Sequence, residues 1–394
     1  MSVRKSAIRR NFTYKKEKDM TEKEKLDNEI NNGDYLIEKI LNSKKIRYEN
    51  LNELIKTFPK GKDTVTMYID IISVIGQIYA PNIIEEIKMF GSREKCLISS
   101  SIINMAAHFR RYFATRKDMY TNFIFYYSSK PAKREVSLFP NYRIDHYNKR
   151  FNASNTDYME LNNLVKENLN LCKTLGEYLP HIYFIDTEDI NPTIVPYYYI
   201  NSQYDNEVGI IYSNDKLQAL NCIAHKNKDV YLLRSSYANS EFYKASDLMS
   251  LYVKEENNLD IGLLPYLFAI SGVKKYNIDG LKNVGEKKAV KFIEKLINDN
   301  TITNTNYRFI KLFLDDLSKS DKVTPEQYNI IERNLKLIQP RYIFKQIKES
   351  DKERILEVKD LQDINALNAI NDEYYDFYPI NIEDLMIGED YESV

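Results

Sequence analysis

The sequence has no tryptophan, three cysteines and four histidines among 394 residues, and each shortage closes a class of function. Cys96, Cys172 and Cys222 stand far apart with no close pair, so neither a disulfide framework nor a thiol-ligated metal centre is implied. The scattered histidines offer no zinc-ligand spacing. Glycine and proline number 11 each, too few for a collagen-like or low-complexity chain. No apolar run approaches the length that crosses a bilayer, and the N-terminus lacks the apolar stretch of a signal peptide. The sequence therefore reads as an intracellular, cytoplasmic protein with no membrane partner. An excess of one charge is also missing, since 56 Lys and Arg face 57 Asp and Glu.

What is present is an ordinary globular composition, 43% hydrophobic and 29% charged, in a chain long enough for two modest domains or one large one. The near-neutral total hides segregation. Residues 1 to 18 carry seven basic groups against one acid, whereas residues 360 to 394 carry ten acids and no base. The abundance of Lys, Asn, Ile and Tyr, with 32 tyrosines, suggests an AT-rich genome.

The pattern divides the chain into four parts. Residues 1–60 read as a basic, helix-prone N-terminal extension, its first 20 residues either a nonspecific DNA-binding arm or a solubilising tail. Residues 61–260 carry five short apolar strands: Val65 to Ile69 ending in Asp70, Asn122 to Tyr127, His181 to Ile185, Val208 to Tyr212 and Asp229 to Leu233. Helix-compatible segments separate them, which predicts an α/β domain with a mostly parallel sheet covered on both faces. Residues 261–358 read as wholly helical, with helices at Tyr307 to Leu317, Pro325 to Ile338 and Arg341 to Val358. Residues 359–394 form an acidic tail in which Ile380 to Ile387 suits docking to a sliding clamp or polymerase.

The most informative segment is Ile270 to Ile297. Gly280 and Gly285 bracket a tight connection containing Lys282 and Asn283; glycine and asparagine tolerate the positive φ that it demands, and Leu281 and Val284 are placed to anchor it. A helix is expected after Gly285, because Ala289, Phe292, Ile293, Leu296 and Ile297 recur at helical spacing. Its first-turn amides would face a phosphate beside Lys287, Lys288 and Lys291. Between Gly272 and Lys295, seven lysines stand against three acids, which favours a polyanion.

With its lead-in from Gly272, this element (272–297) resembles the helix-three-turn-helix, or helix-hairpin-helix, of the flap endonuclease or 5′-nuclease family, whose pattern is roughly G-D-x-x-D-N-I-P-G-V-x-G-I-G-x-x-x-A. Gly272, Asn277, Ile278, Gly280, Val284, Gly285 and Ala289 keep its spacing, and Asn283 stands where a glycine is usual. The two aspartates of the pattern fall on Val273 and Tyr276. The resemblance spans about residues 62 to 300. It implies a PIN-like 5′-nuclease sheet, a helical subdomain, DNA as partner, and a monovalent cation at the hairpin.

The same resemblance assigns Asp70 to the first metal-binding aspartate and Ser213-Asn214-Asp215-Lys216 to the S-G-D-x-D turn, whose second aspartate is here Leu217. The E-A-D-D cluster corresponds to Asn191-Pro192-Thr193-Ile194, without carboxylates; Asp186, Glu188 or Asp189 could substitute from upstream. Such centres bind two Mg²⁺ or Mn²⁺ ions about 4 Å apart through several carboxylates. With so few retained, no residue is assigned a catalytic role. Residues 128–151 resemble the family's arch-forming stretch, with Lys130, Lys133, Arg134, Arg143, Lys149 and Arg150 set to meet phosphates and Phe139, Tyr142 and Tyr147 set to stack on bases. His108, Arg110, Arg111, Arg116 and Lys117 form a further basic helix end.

These readings converge on a structure-specific DNA-binding protein with a degenerate 5′-nuclease fold, acting on flap, branched or single-strand/duplex junction DNA in replication, repair or recombination. Divergence and composition suit a phage or viral origin. Two alternatives stand beside it: an active Mg²⁺- or Mn²⁺-dependent 5′-nuclease using Asp70, Asp186, Glu188, Asp189 and Asp215, and a scaffold or virion protein that kept the fold without binding DNA.

Overall fold

The computed structural model describes residues 48–72, 94–146, 181–225, 227–235, 240–251, 259–302 and 310–356, with Leu169, Lys173 and Leu179. The basic N-terminal arm, Tyr147, Lys149, Arg150 and the acidic tail with its docking peptide lie outside the described residues.

Six strands form one sheet in the order β3-β2-β1-β4-β5-β6. They are β1 (Thr64–Asp70), β2 (Tyr120–Tyr127), β3 (Ile182–Asp186), β4 (Glu207–Tyr212), β5 (Val230–Ser235) and β6 (Ser240–Lys244). The first five run parallel, with Ile69 opposite Phe125 on one side and Tyr212 on the other. Central strands clad on both faces have no polar side to alternate with, which is why they read as near-continuous apolar runs. β6 closes the edge antiparallel to β5, pairing Leu233 with Phe242. Its sequence SEFYK, short and half polar, gave no strand signal against the loop background.

The helices in chain order are α1 (Tyr48–Lys56), α2 (Glu94–Lys117), α3 (Lys133–Leu138), α4 (Ile194–Ser202), α5 (Ala219–Ala224), α6 (Leu264–Ser271), α7 (Glu286–Asn298), α8 (Ile310–Ser318), α9 (Pro325–Ile338), α10 (Pro340–Gln346) and α11 (Glu349–Leu356). Alternation along the strands sends side chains to two cores. Val65, Met67, Ile69, Phe123 and Ile210 pack with Leu51, Leu54 and Ile55 of α1 and with Phe109 and Phe113 of α2. Leu51, Leu54 and Ile55 of α1, within the stretch read as an extension, are thus part of the sheet's core. The opposite face, with Tyr68, Tyr126, Ile211 and Leu232, is continuous with Phe268, Ile293, Phe313, Leu335 and Ile343 of the helical region. Sheet and helical region share this core.

α9 occupies the expected residues, started by a Thr324/Gln327 capping box and Pro325. The single helix expected over Arg341 to Val358 is instead α10 and α11, separated at Ile347, whose backbone is extended. The break brings the Leu356 carbonyl to the Tyr199 hydroxyl at 2.7 Å, fastening α11 to α4. Among the described residues, no helix is long and apolar enough to cross a membrane.

Candidate nucleic-acid interface and the pocket at the strand ends

The segment after α6 turns through a two-residue antiparallel ladder, β7 (Gly272–Val273) with β8 (Ile278–Asp279), before the connection to α7. Gly272 has φ +78°, and a Cβ there would lie 2.4 Å from the Gly280 nitrogen. A Cβ on Gly280 would lie 2.3 Å from the Ser271 carbonyl carbon and 2.4 Å from the Ile270 oxygen. Only glycines allow the two strands to approach so closely. Asn277 and Asn283 take the left-handed conformation, at φ 55° and 61°. Leu281 is buried and its amide donates to the Ile270 carbonyl at 2.8 Å, so the turn is tied to α6.

α7 buries Ala289, Val290, Ile293 and Leu296 and exposes Lys287, Lys288 and Lys291, while Lys282 and Asn283 are exposed on the turn before it. Gly285 is its N-cap with no side-chain capping bond, and a Cβ there would meet open space. The first-turn amides therefore stand beside a lysine-bearing surface, an arrangement chemically suited to a phosphate. Lys288 Nζ donates to the Asn283 carbonyl at 2.9 Å, bracing the turn. Lys216 reaches Glu286 at 3.1 Å and ties α7 to the end of β4.

A cavity of about 350 Å³ opens at the carboxyl ends of the strands, the usual ligand position in such sheets. Asp70 and Asp215 both line it, with Arg143, Lys275, Tyr276 and Asn191 among their neighbours. Ser213 joins the two acids: its hydroxyl donates to Asp70 Oδ2 at 2.9 Å and accepts from the Asp215 amide at 3.1 Å. Asp215 Oδ1 accepts from the Leu217 amide at 3.0 Å, and its Oδ2 accepts from the Tyr276 hydroxyl and lies 3.5 Å from Lys275 Nζ. Burial alone would push the Asp215 carboxyl up. Lys275, Arg143, Tyr276 and the Leu217 amide overcome that and hold it below the usual aspartate value. Tyr276 is shifted the other way, pushed well above the ordinary phenol range by burial and then by the Asp215 charge, so it stays protonated and donates.

The upstream acids do not join this pocket. Asp186 Oδ1 accepts from the Ser129 amide at 3.0 Å and the Glu188 amide at 2.8 Å, shaping the turn after β3. Glu188 Oε2 lies 3.7 Å from Lys130, and the Asp189 carbonyl accepts from the Lys133 amide. At the position of the E-A-D-D cluster, buried Asn191 accepts from the amide and hydroxyl of Thr193 and donates to Tyr142. Among the described residues, no three His, Cys, Asp or Glu side chains are grouped to hold a metal ion. Among the described residues this pocket offers two carboxylates, one of them held by a lysine and a tyrosine, fewer than a pair of divalent ions takes.

Several side chains expected at phosphates or bases have internal work instead. Arg134 pairs with buried Glu135 at 2.7 Å, donates to the Lys336 carbonyl at 3.1 Å and lies over Tyr342. Tyr142 is buried against Tyr276, and Phe139 lies under Arg333. Arg110 is buried and donates to the Thr121 carbonyl at 3.0 Å, so the basic end of α2 is not one continuous surface. Lys130 and Lys133 are exposed on the segment after β2. Arg143 has φ 51°, its amide donates to the Tyr276 carbonyl, and its guanidinium covers the Tyr276 ring at 4.7 Å. Sequence reasoning missed Lys275 and the role of Tyr276. A phenol at a ligand position next to a lysine was the available signal.

No protein-family model and no curated protein matches the sequence. Among solved structures, a pseudo-enzyme–product complex of the bacteriophage T5 flap endonuclease with DNA and metal ions is similar at a TM-score of 0.50 and 16% identity, covering 80% of this chain and 99% of that one. The fold is that of a phage-type 5′-nuclease. The T5 protein crystallised with metal ions aligns at a TM-score of 0.47 and 15% identity over 83% of this chain and 100% of that one. The T5 5′-exonuclease with bound zinc aligns at 0.45 and 16%, over 82% and 100%.

Proposed function

We propose that this protein binds branched, flap-bearing or single-strand/duplex junction DNA through a 5′-nuclease fold whose two-metal centre has been lost. The observation that carries the reading is the Asp215 carboxylate held by Tyr276 and Lys275, at the place where an ion-binding acid would have to stay open. The turn at 280–285, with Lys282, Lys287, Lys288 and Lys291, holds duplex phosphates by charge and by backbone amides. Lys130, Lys133 and Arg143 lie on the approach from the segment after β2 and act on the single strand. DNA bound to the T5 flap endonuclease supports the partner class for this fold.

The test pairs binding with cleavage. A labelled 5′-flap is expected to bind more tightly than a blunt duplex of equal length and to stay intact with Mn²⁺. Cleavage by the native protein that disappears in Asp70→Ala/Asp215→Ala would establish the active-nuclease alternative. Absence of salt-sensitive affinity for any forked DNA would leave only the scaffold alternative.

A further inference from the structure

We propose that the pocket at the strand ends is itself a metal-independent phosphodiester seat, in which Lys275 and Arg143 supply the positive charge that divalent ions supply elsewhere. The inference rests on the DNA-binding reading and names the group that its pocket takes. The cavity is lined by two acids, Asp70 and Asp215, by two cations, Arg143 and Lys275, and by His146. An all-carboxylate pocket repels phosphate until metal ions fill it, whereas this one contains its own counter-charges.

The two cations are held in different ways. The Arg143 backbone is held by a hydrogen bond from its amide to the Tyr276 carbonyl, and its guanidinium rests on the Tyr276 ring, close enough for its charge to act on Asp215. Lys275 is half-exposed and bridges Asp215 at 3.5 Å, a loose contact it can share with an entering oxygen. Asp215 has two further donors, the Tyr276 hydroxyl and the Leu217 amide, and so remains satisfied if Lys275 turns toward a ligand. Lys275 and Tyr276 belong to the turn between β7 and β8, a few residues before the 280–285 connection. One element therefore carries residues of a phosphate clasp and of a mixed-charge pocket. A strand leaving a duplex held at 280–285 would pass from the first to the second.

The experiment measures the affinity of a 3′-labelled 5′-flap DNA for the full-length protein in EDTA and in Ca²⁺, for the native chain, Lys275→Gln, Arg143→Gln and Lys287→Glu/Lys288→Glu. Affinity in EDTA is expected within about twofold of that in Ca²⁺, with Lys275→Gln and Arg143→Gln each weakening the flap about tenfold or more. Their affinity for blunt duplex, which the outer clasp alone holds, is expected to stay within about twofold of native. Lys287→Glu/Lys288→Glu is expected to weaken flap and duplex alike. A native affinity that collapses in EDTA overturns the proposal. So does flap binding that ignores both Lys275→Gln and Arg143→Gln in variants whose circular dichroism matches the native chain. If the native chain ignores the flap in both buffers, the DNA-binding reading itself has failed.

Discussion

Single side chains decide the chemistry at the strand ends. Tyr276→Phe removes one donor from a buried carboxylate and is expected to cost about 1–3 kcal/mol, read as a lower urea midpoint. The pH dependence follows from the sign of the Asp215 shift. Its folded value lies below the unfolded one, so its contribution is present above the ordinary aspartate value and is lost as pH falls through the depressed one. Tyr276→Phe should shrink this acid-side loss.

His225 behaves similarly at higher pH. Burial lowers it to about 4; a hydrogen bond with the Tyr197 backbone opposes the shift, and the Lys228 charge adds a lesser push in the same direction as burial. Its Nε2 is buried without a hydrogen-bond partner, beside a cavity of about 730 Å³ at the start of β5. Because the folded value lies below the unfolded 6.5, stability should be complete above pH 6.5 and fall by up to about 3 kcal/mol on the way to pH 4. His225→Leu should flatten that slope in urea titrations at pH 7, 5.5 and 4. At this scale the sequence was partly legible. Asp70 and Asp215 do reach one pocket, because a strand end and the turn after a neighbouring strand are adjacent in a parallel sheet. For Arg134 and Tyr142 the sequence shows a basic and an aromatic type but not a direction, and each has an internal partner in the fold.

At the scale of elements, the turn between α6 and α7 is the most constrained. Gly280→Ala places a methyl group against the backbone of Ser271 and Ile270, so a loss of about 1–3 kcal/mol is expected together with weaker DNA binding. Gly285→Ala meets open space at a negative φ and should change stability by less than about 0.5 kcal/mol. Thermal unfolding of the two variants side by side checks the contrast. Elements whose signal is local were legible: β1, β2 and β4 for their apolar runs, α9 for its capping box, and the 280–285 turn for its glycines. β6 was not legible because its pairing is supplied by β5. The break at Ile347 was not legible because docking of Leu356 on Tyr199, a tertiary event, fixes it.

For the whole molecule, near-zero net charge coexists with a lysine-bearing face, so DNA affinity should be governed by the local patch. A plot of log affinity against log salt is expected to be steep and linear. Reversing Lys282, Lys287 and Lys288 together should reduce its slope by about 2–3. An unchanged slope would place the phosphate contacts elsewhere. The mostly parallel sheet and the helical region beyond it were legible because short strands alternating with helical segments admit few architectures. The sharing of one core between them was not, since nothing in a linear pattern says which faces meet.

That shared core has a practical consequence. Tyr68, Tyr126 and Ile211 of the sheet share one core with Phe268, Leu335 and their neighbours, so severing the chain near residue 260 would strip much of the cladding from one side of the sheet. The lysine-bearing turn is therefore not a detachable cassette. Any alteration of what this protein does to nucleic acid has to be made in place, by exchanging side chains on a frame that stands or falls whole.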